Sequence, residues 1–245
     1  MSNTPQYDAM FSSIIGQEYD MLQLICPAAT EMSCLVGNTV SAYPNTNEPL
    51  QVVELGGGTG ITTLALLTAK DGMQVFSVDN EPTMQEQAKQ RLQQWVDEGR
   101  LTFCADDALT ALRQLANDSV DIIASAYTLH NFLNSYREQL IKEIFRVLKP
   151  NGQFINGDRY GLNDIRQHTR AVQEEISYYF KVLTPIKRID LLEHWIVHLF
   201  NDESEDHVMR EGVAVQQLHD SGFLAIKVSH RRAVNALVTA IKPVK

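Results

Sequence analysis

Residues 52–60 read Val52-Val53-Glu54-Leu55-Gly56-Gly57-Gly58-Thr59-Gly60, and Ile61-Thr62-Thr63-Leu64-Ala65-Leu66-Leu67 follows directly. The apolar, partly β-branched start reads as a buried strand, and the run after the glycines can start a helix. Strand, glycine turn and helix are how a doubly wound sheet offers its main chain to a ligand. The spacing excludes two common motifs. A dinucleotide fingerprint starting at Gly56 needs its third glycine at Ile61, and one starting at Gly58 needs it at Thr63. No lysine follows the glycines, so a P-loop is excluded too. Glu54, at the strand end, would repel a pyrophosphate and would suit a ligand carrying an ammonium or sulfonium.

The pattern repeats along the chain. Met73–Val78 reads as a second strand, ending at Asp79. A carboxylate there can accept hydrogen bonds from both hydroxyls of a ribose, with Asn80 beside the adenine, or it can cap the next helix. Leu101–Cys104 is a third strand and leads into Asp106-Asp107-Ala108. Val120–Ala126 is a fourth, followed by Tyr127-Thr128-Leu129-His130-Asn131-Phe132. Tyr136–Leu148 is an amphipathic helix with Leu140, Ile141, Ile144 and Leu148 on its buried stripe. Lys149-Pro150-Asn151-Gly152 ends it, and Gln153–Asp158 is a fifth strand.

From Val52 to Asp158 the order and spacing of these features resemble the class I S-adenosylmethionine (SAM)-dependent methyltransferases. The opening stretch resembles their motif I. The Leu129-His130 pair is similar to their small-molecule branch, and the Asn/Asp-Pro-Pro-aromatic motif of many amino-group methylases is missing. The resemblance implies an α/β, Rossmann-like, doubly wound sheet. It has seven mostly parallel strands with a reversed terminal strand, plus N-terminal and inserted lid helices. SAM is the implied cofactor, S-adenosylhomocysteine the product, and an O, N or C atom of a small molecule the acceptor. By resemblance, Glu54, Gly56, Gly57, Gly58 and Ala126 surround the cofactor. Either Asp106 or Asp107 accepts from the adenine amino group while the other can cap a helix. The loop at Tyr127–Asn131 lies near the transferred methyl. Tyr19, Tyr127, Asn131, Arg159 and Tyr160 are candidate substrate contacts, and Arg159 could also pair with the cofactor carboxylate. His130, whose ordinary pKa is near neutrality, is the candidate base. Another SAM-using enzyme, similar to carboxy-SAM synthase, and a catalytically silent SAM-binding protein are the alternatives.

The remaining chain organises around this core. We read residues 1–245 as one domain: a helical cap over 7–42, a cofactor-binding core over 50–160, a helical insertion over 161–208, and a C-terminal helix and hairpin over 209–245. The insertion carries Tyr178, Tyr179, Phe180, Trp195 and Phe200, which suit a pocket wall, a core or a homodimer contact. Asp202-Glu203-Ser204-Glu205-Asp206 reads as a solvated loop. His194 and His198 share a helix face, with His168, Glu193 and Asp202 nearby in sequence. Without an H-E-x-x-H motif, no metal is expected. The net charge of −9 argues against nucleic acid as the main partner. The basic cluster Lys227, His230, Arg231 and Arg232 reads as a solvated strand end. Three scattered cysteines form no disulfide framework, and neither a secretory signal nor a membrane span is visible. A cytoplasmic location is the expectation.

Overall fold

A computed structural model describes residues 22–44 and 48–244. Its strands are β1 (Leu50–Leu55), β2 (Met73–Val78), β3 (Leu101–Cys104), β4 (Val120–Ala126), β5 (Leu148–Arg159), β6 (Leu224–Arg232) and β7 (Asn235–Ile241). They form one sheet in the order β3-β2-β1-β4-β5-β7-β6. β1 to β5 pair in parallel, and β7 runs antiparallel to both β5 and β6. This is the expected seven-stranded arrangement with one reversed strand. β4 is buried at every position, as a central parallel strand covered on both faces must be.

The helices are α1 (Leu22–Ile25), α2 (Pro27–Ser41), α3 (Ile61–Ala69), α4 (Pro82–Asp97), α5 (Ala108–Gln114), α6 (Asn134–Val147), α7 (Ile165–Leu183), α8 (Ile189–Asp202) and α9 (Glu211–Asp220). Pro27 interrupts the N-terminal helical stretch by opening α2 at its first turn. α2 buries Met32, Val36 and Val40. Gly157 of β5 lies under it, where a Cβ would come within 3.1 Å of Val36. α7 and α8 pack with α1 around Ile25, Leu183, Leu192 and Trp195, while Phe180 and Phe200 stay exposed. Among the described residues, no helix is long and apolar enough to cross a membrane.

Two local expectations differ from the structure. β5 begins at Leu148 rather than Gln153, because Leu148 pairs with Val120 before the register shifts at Ile122. The acidic run does not start in solvent. α8 continues through Asp202, which is buried, and Glu203 turns inward onto Arg159 and His168.

Two buried ionisable side chains hold the loops that follow β1 and β4. Glu54 is fully buried. Its Oε2 accepts from Thr63 Oγ1 at 2.7 Å and from Ser77 Oγ at 2.6 Å. Oε1 has no hydrogen-bond partner among the described residues. Burial pushes the carboxyl up to about 7, against the pull of those two hydroxyls. Arg137 of α6 is 2% exposed. Its guanidinium donates to the carbonyls of Leu129, His130, Phe132 and His207, tying the loop after β4 to the chain after α8.

Two outcomes follow from these side chains. A carboxyl whose pKa is higher in the fold than in the unfolded chain is protonated in the fold while already ionised in the unfolded chain. Stability should therefore fall as pH rises from about 4.5 to about 7, by of order 3 kcal/mol. Glu54→Gln should flatten that slope in urea titrations of the cofactor-free protein at pH 5, 6 and 7.5. Arg137→Ala strands carbonyls that no water can easily reach, and denaturant melts should show a loss of about 3 kcal/mol or more.

Candidate functional site

The main cavity, about 440 Å³, lies at the carboxyl end of the sheet. Its polar wall is built by one rule. Gly56 follows β1, Asp79 follows β2, Asp106 comes two residues after β3, and Tyr127 follows β4. In an open α/β sheet these are the positions from which ligands are bound. Met84, Phe132, Leu133 and Tyr136 supply its apolar wall.

The glycine loop fits this wall only without side chains. Gly56 has φ +74°, and a Cβ there would sit 2.0 Å from Thr128 Oγ1. A Cβ on Gly57 would sit 2.2 Å from Ser77 Oγ. The loop is also tied from the side, since Gly58 N–H donates to Asp79 Oδ2 at 2.7 Å. Glu81 N–H donates to Asp79 Oδ1 at 2.8 Å, so the carboxylate is held at the cavity rim. Asp107 is the N-cap of α5, accepting from the N–H groups of Leu109 and Thr110 and from Tyr136 Oη at 2.8 Å. Burial works against its charge, but these donors hold its carboxyl below the usual range. Asp106 accepts from Gln114 Nε2 at 2.9 Å.

A second, smaller cavity of about 30 Å³ lies on the other side of Tyr127 and Asn131, which line both. His130, Arg159, Glu175, Trp195, His198 and Asp202 enclose it. Asp158, beside Arg159 on β5, is completely buried. Its Oδ1 meets His130 Nδ1 at 2.6 Å, and its Oδ2 accepts from Leu129 N–H at 2.9 Å. Although burial disfavours its charge, His130 and these donors hold the Asp158 carboxyl below the usual range. Arg159 is 7% exposed and donates to Glu175 Oε1 at 2.6 Å and to Glu203 Oε1 at 3.1 Å. Burial opposes its charge too, but Glu175 and its neighbours raise the guanidinium pKa well above the usual value. Burial lowers the His198 imidazole below its ordinary range, which favours the neutral ring.

The residues singled out from sequence thus separate into groups. Gly56, Gly58, Asp79, Asn80, Asp106, Asp107, Tyr127 and Asn131 line the main cavity. Gly57 and Ala126 line another small cavity beside α2, which shares Gly56, Gly58 and Tyr127 with the main one. Glu54 lies beneath the loop, outside the cavity surface, because Thr63 and Ser77 close over it. His130 lines the smaller cavity, outside the lining of the main one. Arg159 lines the smaller cavity as well, as a buried ion pair and not a surface one. Tyr160 is a correction. It is 2% exposed in the core, with its hydroxyl accepting from Asn156 Nδ2 at 2.8 Å, and it faces neither cavity. Tyr19 lies outside the described residues. His194 bonds the carbonyl of Asp190 and stands apart from the cluster that His198 joins. Sequence reasoning missed Tyr136, Phe132 and Leu133, whose helical and loop positions carried no motif. It also missed the inward turn of Asp202, which its acidic neighbours masked.

The residues present fit an adenosyl cofactor. The cradle rejects a Cβ at Gly56 and Gly57, an acid stands after β2 and after β3, and apolar side chains face them across the cavity. Comparison with known proteins agrees. A family profile described as a methyltransferase domain matches residues 53–156. Demethylmenaquinone methyltransferase of Leptospira interrogans is 39% identical over 109 residues, 44% of this chain and 43% of that protein. The chain therefore spans less than half the length of that relative. Carboxy-S-adenosyl-L-methionine synthase of Hydrogenovibrio crunogenus is 24% identical over 236 residues, 94% of this chain and 87% of the relative. Among solved structures, an O-methyltransferase family protein from Burkholderia thailandensis superposes with a TM-score of 0.68 at 16% identity, covering 96% of this chain and 62% of its own. The SAM-dependent methyltransferase SibL gives 0.58 at 18% identity, over 86% of this chain and 56% of its own. At such identities the superpositions speak for the fold alone. Glycine cradle, paired acids, strand order and the domain match over residues 53–156 together support a class I SAM-dependent methyltransferase, the family whose cofactor is S-adenosylmethionine.

Proposed function

We propose that the protein transfers a methyl group from SAM to a small-molecule acceptor that approaches from the side of Tyr127 and Asn131. The observation that carries this reading is the shared wall. The same two residues line the cofactor-sized cavity and the smaller polar cavity behind it. The cofactor supplies an electrophilic methyl group on a sulfonium, so the chain's part is to position, desolvate and orient. In this reading Asp79 accepts from the ribose hydroxyls and Asp106 from the adenine amino group, with Asn80 beside the ring. Asp107 works as a helix cap. Gly56, Gly57 and Gly58, with Ala126, let the cofactor lie against the main chain. Glu54 acts from below, through Thr63 and Ser77, as the support of that loop.

His130 serves the acceptor. Asp158 engages Nδ1, which leaves Nε2 toward the smaller cavity. Arg159, already bound by two carboxylates, shapes that cavity and is a poor partner for an acidic substrate. A second reading has support from the extent of one match: the relative named carboxy-SAM synthase aligns over 94% of this chain, insertion included. In that reading the nucleoside itself is the product. The two are separated by incubating the protein with methyl-labelled SAM and a small-molecule extract, then resolving the products by mass. Label in a low-mass acceptor together with S-adenosylhomocysteine supports methyl transfer. A heavier SAM derivative supports the second reading. Tight S-adenosylhomocysteine binding with all label left in SAM would overturn both and leave a silent binding protein.

Two variants test the assignments. Asp79→Ala should weaken S-adenosylhomocysteine binding by about 10- to 100-fold in calorimetry, the loss of one or two hydrogen bonds to a charged group. His130→Ala should keep that binding within about threefold while lowering turnover by at least about 100-fold.

A further inference from the structure

The smaller cavity holds more chemistry than a neutral pocket needs. His130, His198 and Asp202 each present one ligand atom there, and the three atoms lie within 4.8 Å of one another. His130 Nε2 is 3.8 Å and His198 Nε2 3.5 Å from Asp202 Oδ2. In a tetrahedral site with bonds of about 2.1 Å, neighbouring ligand atoms stand about 3.4 Å apart, so small side-chain shifts would close this set around one ion. All three residues are more than nine-tenths buried.

Three further observations point to a cation. First, Asp202 Oδ1 is buried with no hydrogen-bond partner among the described residues. A carboxylate oxygen left so is costly unless something missing from the protein atoms meets it. Second, Asp158 holds His130 through Nδ1, at 2.6 Å. A carboxylate behind the imidazole, fixing the ring so that its other nitrogen points into the site, is the usual outer support of a metal-bound histidine. Third, the charges do not balance. Glu175 and Asp202 line the cavity, Asp158 and Glu203 bond its lining residues His130 and Arg159, and Arg137 and Arg159 are the guanidiniums that reach these four carboxylates. Four carboxylates against two guanidiniums leave two negative charges when the histidines are neutral, and one divalent ion would cancel them. The volume of about 30 Å³ is room for an ion and a water.

We propose that His130 Nε2, His198 Nε2 and Asp202 Oδ2 form a binding site for one divalent transition-metal ion, zinc or ferrous iron by the preference of imidazole and carboxylate. Three protein ligands leave coordination open. Tyr127 and Asn131, the wall shared with the cofactor cavity, line the same small cavity. An acceptor with a metal-binding oxygen would be held there, and the ion would lower the pKa of that oxygen. His130 then serves the acceptor through the ion and not as a free base. Metal binding goes beyond the methyl-transfer reading and is measured without SAM, so either can fail alone.

The test is titration of the metal-free full chain with Co²⁺ and with Zn²⁺, followed by calorimetry and visible absorption, with far-ultraviolet circular dichroism as the check of folding. One ion per chain, with the intense cobalt bands of four- or five-coordination, is the expected result. His198→Gln and Asp202→Asn should each weaken binding at least about tenfold. His194→Ala, which alters a histidine on the same helix outside the cluster, should leave it unchanged. No uptake by the unsubstituted chain, uptake with the weak bands of a six-coordinate aqua ion, or uptake unaltered by His198→Gln would overturn the site. Should a variant fail to fold, the stoichiometry and spectrum of the unsubstituted chain decide alone.

Discussion

A carboxylate with no access to water must find donors, and Asp158 collects them from the segments that build both cavities. Leu129 N–H and the His130 ring reach it from the loop after β4, Arg159 N–H from its own strand, and Asn156 Nδ2 from two residues back. That bond set converts a loop into a fixed wall. Arg137 works on the same loop from the opposite side, through its carbonyls, so donors and acceptors of one short segment are both spoken for. The position of Tyr127, at φ +52°, follows from that restraint, since the strand before it and the turn after it are both anchored.

The two cavities obey different physics. The main one is shaped by the main chain: glycines without Cβ atoms, strand ends, and a carboxylate held by two N–H groups. Its recognition elements are local to β-strand ends, so they repeat at regular places along the chain. The smaller one is shaped by side chains from distant segments, with β5, α7 and α8 contributing charges and the loop after β4 the His130 ring. Its order depends on mutual neutralisation, as Arg159 shows between Glu175 and Glu203.

That difference decides what was legible. The strands and the main cavity wall could be read because periodicity and the acids after β2 and β3 are short-range signals, whereas the sheet arrangement with its reversed strand was implied by the family resemblance. The exchange of roles between Asp106 and Asp107 stayed open in sequence, and the cap bonds to Leu109 and Thr110 assign Asp107. Tyr160 was misread because a residue next to a strand end can face either side, and its side chain turns into the core toward Asn156. Helical spacing suggested His194 as the companion of His198. The histidine whose ring nitrogen lies near that of His198 is His130, on another element, and one-dimensional spacing cannot express that. Asp202 hid inside a run of acids whose bland explanation is solvent.

The ends of the sheet limit how copies of this chain can meet. One edge is β3, four residues long. The other is β6, which carries Lys227, Arg231 and Arg232, breaks register with β7 twice, and bends at positive φ at Ala225 and His230. Short length, bulges and charge are the devices that keep a strand edge from recruiting another strand. Growth of the sheet from molecule to molecule is therefore disfavoured at both margins. Association between copies is left to helical surfaces, where contact is made by side-chain packing and not by extending a hydrogen-bond ladder.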